Sequence, residues 1–282
     1  MGHMRGKLVD AGLGSPLDVA ITQRDRGTLA MVAQALERGD VRLAYQPVMR
    51  ADGAGVAFWE GLVRLLDETG RVIPARDFIG VVEDRDLGRR IDCAALRIGL
   101  AALQAQPALR LAVNMSARSV GYPGWMSILR HAIARRPELL RRLILEITET
   151  SVMQMPEIVQ VFMAELQDKG VTFALDDFGA GYTAFRHLRH FCFDILKIDG
   201  QFARDVEADP DNQVLCEALI SLGRHFDMLV VSEAVETAAA ARWLTAAGVD
   251  CLQGYHFAAP SMAPPRAPDG QAPRGRDPSA GE

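Results

Sequence analysis

Residues 171–182 read VTFALDDFGAGY, an apolar run that leads directly into the adjacent acids Asp176 and Asp177 and then into a glycine-rich turn. An uninterrupted run of β-branched and aromatic residues is typical of a strand covered on both faces, as in a parallel sheet. Two carboxylates at the end of such a strand are costly unless positive charge lies close to them. We therefore expect a divalent cation at this strand end; the alternative is a helix-capping Asp beside a solvated one.

Composition restricts the class of protein. The chain has 282 residues, of which 49% are hydrophobic, enough for one barrel or for two smaller domains. Its formal net charge of −5 gives no general attraction to nucleic-acid polymers or anionic membranes, so an anionic small substrate needs local cations. The apolar runs are shorter than the roughly 18 residues of a membrane span. We expect a cytoplasmic protein with no membrane segment.

The cysteines support a reducing compartment. Cys93, Cys192, Cys216 and Cys251 are far apart and lack CxxC spacing. This spacing argues against a disulfide framework and against a zinc site. We expect all four to be buried small apolar residues.

The two ends of the chain differ in composition from the rest. Residues 1–27 lack periodicity and predict a loosely held lead-in, in which residues 1–4 (MGHM) look like a cloning remnant. Residues 28–260 alternate between strand and helix patterns. Residues 261–282 are rich in Pro, Gly and Ala and predict a disordered tail. We expect a single folded domain between these ends.

Strands and helices alternate along residues 28–260. The first two predicted strands, 42–48 and 56–65, are separated by a turn too short for a crossover helix, so they should pair antiparallel. Each later strand is preceded by a helix-sized connection. Eight strands in this arrangement predict an α/β fold, a (β/α)8 TIM-type barrel with one antiparallel strand. The later strands are predicted at 111–114, 143–148, 171–177, 194–198, 228–235 and 249–257.

A polar residue lies at or near the end of every predicted strand. In such barrels these side chains should meet at one mouth, although Gln46 fits least securely because its strand is reversed. One lysine cannot neutralise five acids, whereas two divalent cations can, and oxygen ligands favour Mg²⁺ or Mn²⁺. Two metals suit attack of water on a phosphoester. The polar residues are Gln46, Glu60, Asn114, Glu146, Asp176, Asp177, Lys197, Glu233 and Gln253.

The motifs in this order resemble the EAL-domain family of cyclic di-GMP phosphodiesterases over about residues 28–260. The family has a (β/α)8 barrel with an antiparallel strand, as the short turn already predicts. The matching motifs are Tyr45-Gln46-Pro47, Glu60-Gly61-Leu62-Val63-Arg64, Asn114-Met115-Ser116, Glu146-Ile147-Thr148-Glu149, Asp176-Asp177-Phe178-Gly179, Lys197-Ile198-Asp199, Glu233-Ala234-Val235-Glu236 and Gln253-Gly254.

The resemblance implies hydrolysis of one phosphodiester bond of cyclic di-GMP to give linear pGpG, with two Mg²⁺ or Mn²⁺ as cofactors. Catalytic roles fall on Glu233, one candidate general base, on Lys197, which would hold the attacking water or hydroxide, and on Asp177. The remaining implied roles are metal binding by Glu60, Asn114, Glu146, Asp176 and Asp177, substrate binding by Arg64, Gln46 and Gln253, and loop anchoring by Glu149 and Glu236.

Three positions depart from the family pattern. Gly61 replaces the alanine of Glu-Ala-Leu, Ala234 replaces a glycine, and Ala259 replaces a common basic residue. Gly61 loosens its strand by roughly 0.5–1 kcal/mol relative to alanine. Ala234 is harmless only if the position does not need positive φ. The departures keep open an alternative, a catalytically weak or silent cyclic di-GMP receptor or interaction module. A glycosidase-like barrel using Glu146 and Glu233 leaves the other polar residues without a role.

Partners beyond the nucleotide are less defined. The resemblance is compatible with a homodimer through the helix after the Asp176-Asp177 loop, where Phe185, Leu188, Phe191 and Phe193 are apolar. We also expect an unseen sensory or partner protein to supply regulation. Residues of the barrel itself do not predict the signal.

Overall fold

The computed structural model describes residues 16–180 and 188–265, and all structural statements below concern these residues. They contain nine strands: β1 (Val41–Arg50), β2 (Val56–Leu66), β3 (Val72–Pro74), β4 (Leu111–Asn114), β5 (Leu143–Thr148), β6 (Thr172–Phe178), β7 (Ile195–Ile198), β8 (Leu229–Ser232) and β9 (Cys251–Leu252). Their α-helices are α1 (Pro16–Arg38), α2 (Ile79–Val82), α3 (Asp86–Ala105), α4 (Pro123–Arg135), α5 (Pro137–Leu140), α6 (Glu149–Gln154), α7 (Pro156–Gln167), α8 (Gly200–Ala203), α9 (Pro210–His225) and α10 (Ala238–Ala247).

Eight of these strands close into a barrel. Strand β1 pairs antiparallel with both β2 and β9. Strand β2 pairs parallel with β4, and parallel pairing continues from β4 through β9. Strand β3 lies outside the barrel, on the edge of β2. The prediction of a (β/α)8 TIM-type barrel with one antiparallel strand is confirmed.

The β1–β2 turn explains why the first strand is reversed. Gly53 and Gly55 have φ values of 76° and 102°, which suit glycine because it has no Cβ. Asp52 Oδ1 accepts a hydrogen bond from the Ala54 amide at 2.9 Å, and this bond closes the turn. The chain therefore doubles back within five residues.

The barrel axis is filled by one apolar side chain from each of its eight strands. We call this set the inner apolar layer. Each member is at most 4% exposed, and burial of such a side chain contributes about 1.5–3 kcal/mol for the larger aliphatic and aromatic types. The members are Val48, Phe58, Ala112, Ile144, Ala174, Ile195, Val231 and Cys251.

A second, larger core lies between the strands and the helices. Alternate strand residues such as Leu111, Phe173 and Leu196 point away from the axis and are completely buried there. Helix ends follow the expected chemistry, since Thr237 caps α10 by accepting from the Ala240 amide and Gly248 ends it at φ 100°. The helices thus cover a strand that would otherwise expose an apolar face.

Three expectations about the chain ends and cysteines are corrected in part. Helix α1 begins at Pro16, so residues 16–27 of the predicted lead-in are helical. Ser261 forms an antiparallel bridge with Tyr45 and is therefore held to the barrel, while residues 266–282 of the predicted tail lie outside the described residues. Cys192 is exposed, whereas the other three cysteines are buried.

None of the described helices is long and apolar enough to cross a membrane.

Candidate metal and phosphodiester site

The predicted site residues form one layer directly above the inner apolar layer. Side chains two residues apart on a strand lie on the same side of the sheet. Each site residue follows its inner-layer residue by two positions, as Glu60 follows Phe58. In the reversed strand β1 the order is inverted, and Gln46 precedes Val48. We call this set the mouth layer: Gln46, Glu60, Asn114, Glu146, Asp176, Lys197, Glu233 and Gln253.

Lys197 is the centre of the mouth layer. Its side chain is completely buried, and its Nζ lies 2.6 Å from Glu233 Oε1 and 3.0 Å from Asp176 Oδ1. The same nitrogen lies 3.2 Å from Glu146 Oε2 and 3.5 Å from Glu60 Oε2. Four carboxylates therefore share one ammonium group, which leaves net negative charge at the mouth.

Two amides hold Glu60. Gln253 Nε2 donates to Glu60 Oε2 at 2.6 Å, and Asn114 Nδ2 donates to Glu60 Oε1 at 2.9 Å. Gln46 lies beside them, donating to the Ala258 carbonyl at 3.1 Å and accepting from Gln253 Nε2 at 3.3 Å. Gln46, on the reversed strand, thus contacts Glu60 through Gln253.

These contacts shift the pKa values of the mouth-layer acids in opposite directions. Burial opposes the charged form of Glu60, but Lys197 and the two amides outweigh it and lower the pKa of Glu60. Burial raises the pKa of Glu146 and of Glu233 well above the usual range, despite the attraction of Lys197. Burial alone would lower the pKa of Lys197, yet the surrounding carboxylates raise it well above its ordinary value. The lysine is therefore held as a cation.

Asp177 reaches the mouth through an irregularity in β6. Strict alternation would direct its side chain away from Asp176, but the β6–β7 register shifts between Leu175 and Phe178 and Asp177 has φ 53°. Asp tolerates this left-handed conformation better than most residues. Loss of solvent and the charge of Asp176 raise the pKa of Asp177 to about 6. Both acids therefore face one mouth.

The donor set fits divalent cations. Oxygens of Glu60, Glu146 and Asp176 lie within 4.8 Å of one another, and so do oxygens of Asp176, Asp177 and Glu233. Glu146 Oε1 is buried without a hydrogen-bond partner among the described residues, so it has a free lone pair. Carboxylate oxygens without histidine or cysteine favour Mg²⁺ or Mn²⁺.

A cavity of about 670 Å³ opens above the mouth layer. Arg76 and Tyr255 line it, and neither was predicted as a site residue; Arg76 follows the β3 hairpin, whose existence no sequence pattern signalled. Arg64 donates to the Val63 carbonyl at 2.9 Å, and burial lowers its pKa. Glu236 is exposed on the cavity wall.

A second acid ties the loop after β6 to the site. Glu149, the first residue of α6, is 3% exposed, and its Oε2 accepts a hydrogen bond from the Gly179 amide at 3.1 Å. Gly179 has φ 98°, a conformation that favours glycine. This contact joins the loop after β6 to the start of α6.

Comparison with known proteins decides the family. The sequence model of the EAL domain matches residues 29–260, most of the chain. The chain belongs to the EAL-domain family. This EAL domain is 31% identical over 237 residues to the bifunctional diguanylate cyclase/cyclic di-GMP phosphodiesterase MucR of Pseudomonas aeruginosa, covering 82% of this chain and 34% of that protein. It is 30% identical to the cyclic di-GMP phosphodiesterase PdeF of Escherichia coli, covering 80% and 31%. The chain thus spans about a third of the length of these curated relatives.

Solved EAL structures have the same fold. The MucR phosphodiesterase in complex with c-di-GMP is 30% identical with a TM-score of 0.73, covering 83% of this chain and 97% of that one. The FimX EAL domain from Pseudomonas aeruginosa bound to c-di-GMP is 27% identical with a TM-score of 0.75, covering 84% and 97%.

The structure shows the backbone conformation or the surroundings of the three residues that depart from the EAL pattern. Ala234 has φ 51°, so the alanine is strained; the condition under which it is harmless is not met. A Cβ added to Gly61 would lie 3.1 Å from Leu43 Cδ1 and 3.3 Å from the Ala112 carbonyl oxygen, so the glycine relieves crowding. Ala259 is exposed beyond β9.

The apolar residues considered for an EAL dimer are mostly in the core. Leu188, Phe191 and Phe193 are each at most 7% exposed within the single chain. Phe185 lies outside the described residues. The three buried side chains are therefore committed to the barrel's own packing, and a homodimer stays a prediction.

Proposed function

We propose that this protein hydrolyses cyclic di-GMP to linear pGpG with the help of two divalent cations, Mg²⁺ or Mn²⁺. The observation that carries the proposal is the mouth layer: two groups of carboxylates with oxygens within 4.8 Å, sharing the completely buried Lys197. The relatives named as cyclic di-GMP phosphodiesterases, MucR and PdeF, support the choice of nucleotide.

The metal-binding residues are Glu60, Asn114, Glu146, Asp176 and Asp177. When bound, the cations lower the pKa of a water and neutralise the phosphoryl oxygens. Asn114 donates its Nδ2 hydrogen to Glu60, so its Oδ1 is the atom available to a cation. Gln253 holds Glu60 from the other side and fixes the carboxylate plane. These amides act on orientation, which second contacts of a metal site commonly control.

Lys197 orients the attacking water, and Glu233 accepts a proton from it. Lys197 stays protonated because its pKa is raised well above the usual value, so it donates hydrogen bonds and orients the attacking water. Glu233 Oε1 accepts from Lys197, and its raised pKa suits a base that takes a proton from that water. The water oxygen bonds to phosphorus, the bond from phosphorus to one ribose 3′ oxygen breaks, and the proton lost by the water ends on that oxygen, so that one water is consumed.

Two of the proposed substrate residues, Gln46 and Gln253, line the cavity. Arg64 supplies the positive charge for a phosphate, and Gln46 and Gln253 line the wall over which the nucleotide lies. Glu149 holds the loop after β6 through the Gly179 amide, and the loop-anchoring role of Glu236, which is exposed on the cavity wall, stays a prediction. The overall charge of −5 makes a local cation necessary for an anionic substrate.

A receptor is the second candidate, and one observation favours it. Ala234 follows the proposed base Glu233 directly and has φ 51°, so strain lies next to the residue that must accept a proton. A displaced Glu233 would leave nucleotide binding intact while slowing hydrolysis. Regulation by a sensory or partner protein is compatible with either function.

The test is turnover of cyclic di-GMP with Mn²⁺ or Mg²⁺, with pGpG followed by chromatography. Glu60→Ala removes a metal ligand, and Glu68→Ala, whose side chain is 73% exposed, is the matched acid-removal control. Turnover that is lost in Glu60→Ala and kept in Glu68→Ala supports the enzyme. Binding of cyclic di-GMP without turnover favours the receptor, and absence of both contradicts the two functions together.

A further inference from the structure

The buried carboxylate of Asp92 has no role in the proposed reaction, yet it lies beside the site. Asp92 belongs to α3, is 9% exposed and lines the cavity above the mouth layer. It is not a member of the mouth layer and comes from a helix, outside the strand ends. A buried acid of this kind needs hydrogen-bond donors, and these donors identify what it does.

One oxygen of Asp92 holds both ends of a turn. Asp92 Oδ2 accepts the Ser116 amide hydrogen at 3.0 Å and the Ser119 hydroxyl hydrogen at 2.6 Å. Ser116 is the cap of the 3₁₀ turn Ala117–Ser119, and Ser119 is its last residue. Hydrogen bonds to an ionised acceptor are among the stronger ones in proteins.

The clamped turn follows the metal-binding residue Asn114 without a break. The amide of Met115 donates to the Glu146 carbonyl at 2.9 Å, which keeps the chain in register with β5. The next amide, that of Ser116, is already bonded to Asp92. Asn114 therefore lies between the sheet and a turn fixed from α3, and the direction of its amide depends on both.

A neighbouring contact shows that the turn is held from two sides. Ser151 Oγ accepts the Ala117 amide hydrogen at 2.7 Å, and Ser151 is part of α6, the helix that begins with Glu149. Glu149 in turn anchors Gly179, beyond Asp177. The loops after β4, β5 and β6 are thus joined side by side, and Asp92 is the acid at one end of this series.

We propose that Asp92 is a positioning residue, which sets the Asn114 amide for cation binding by clamping the turn from Ser116 to Ser119. The inference rests on the proposed function only in taking Asn114 as a metal ligand. It concerns an acid outside the ligand set and outside the residues that contact substrate.

The test is direct titration of the metal-free protein with Mn²⁺ by calorimetry. Asp92→Leu removes the acceptor while keeping apolar volume, and we expect its Mn²⁺ dissociation constant to rise about 10-fold or more. Asp92→Asn retains an oxygen that can accept both hydrogen bonds and should stay within about threefold of wild type. Leu96→Ala, a completely buried position on the same helix, is the control for packing loss and should leave the constant unchanged.

Two results would overturn the inference: an Asp92→Leu constant equal to that of Leu96→Ala, or no rescue in Asp92→Asn. If Asp92→Leu does not fold, Ser119→Ala removes one donor, and a rise of less than about twofold would count equally against it. The readout needs no turnover, so wild-type protein that binds Mn²⁺ without hydrolysing cyclic di-GMP contradicts the proposed function alone. Wild-type protein that binds no Mn²⁺ contradicts both.

Discussion

Lys197 Nζ and Glu233 Oε1 lie 2.6 Å apart, with the lysine side chain completely buried, and three further carboxylates approach the same nitrogen. Removal of one partner of a buried ion pair commonly costs about 3–5 kcal/mol, because the other charge is left uncompensated. When no metal cation is present, the charge of the mouth-layer acids is therefore compensated mainly by Lys197, and the stability of the fold depends more on this lysine than it does with metal bound.

We expect Lys197→Met to lower the free energy of unfolding by about 3–5 kcal/mol in the presence of a chelator. Mn²⁺ should recover more stability in this variant than in wild type, because the metal replaces the lost positive charge. Urea unfolding with and without Mn²⁺ measures both effects, and Lys169→Met at an exposed site is the control. A loss of stability that is the same in both conditions would contradict the shared role of lysine and metal.

Ionisation of Asp92 should make the free energy of unfolding depend on pH. Burial raises its pKa from 3.8 to about 6, against the two serine hydrogen bonds. The folded state therefore holds this proton more tightly, and the stabilisation is complete below pH 3.8 and is lost as the pH rises through 6. The loss at neutral pH is about 3 kcal/mol, since one pKa unit corresponds to about 1.4 kcal/mol.

Asp92→Asn cannot ionise, so its stability relative to wild type should increase between about pH 4 and 6 and then level off. Chemical unfolding of both proteins across this range gives the difference directly. Asp84→Asn, at a side chain that is 68% exposed, controls for the loss of a negative charge. Parallel stability curves for Asp92→Asn and wild type would show that the carboxyl is not perturbed.

Ala234 and Gly200 form a coupled pair. Ala234→Gly should stabilise the protein by about 1 kcal/mol, because glycine adopts the left-handed conformation without steric cost. A Cβ added at Gly200 would lie 2.5 Å from Ala234 Cβ, so Gly200→Ala should destabilise wild type. The same change should cost less in the Ala234→Gly background. A double-mutant cycle on unfolding free energies measures the coupling, and strictly additive effects would refute it.

Gly61→Ala tests the most visible departure from the family pattern. Alanine gains roughly 0.5–1 kcal/mol of strand stability, but its Cβ crowds Leu43 and the Ala112 carbonyl. We expect these effects to offset each other, with unfolding free energy changed by less than about 1 kcal/mol and pGpG formation within about twofold of wild type. A large gain in turnover would instead identify the glycine as the cause of a slow enzyme.

Alternation along the strands explains how much could be predicted. The strand patterns and the polar strand ends place Glu60, Asn114, Glu146, Asp176, Lys197 and Glu233 at one mouth, because a period of two is a local property of the chain. Asp177 was predicted with them, but its side chain reaches the mouth because of the bulge in β6, and no local sequence pattern predicts that bulge.

Other features depend on contacts between distant segments. Asp92 belongs to a helix, and only the packing of α3 on β4 brings it to Ser116 and Ser119. Arg76 reaches the cavity because the short strand β3 folds onto β2. The strain at Ala234 could be anticipated only as a condition, since its φ depends on the path between β8 and β9.

The reversed direction of β1 also determines where the chain enters the barrel. Strand β1 begins beside the last residues of β2, where the Leu66 amide donates to the Asp40 carbonyl at 2.9 Å and Arg38 Nη2 donates to the Leu66 carbonyl at 3.2 Å. Helix α1 therefore ends at the mouth of the barrel, beside the last residues of the strand that carries Glu60. A protein fused ahead of α1 would attach at the other end of this 23-residue helix, roughly 35 Å from the mouth, and a pull or twist on it would be carried along the helix to the mouth.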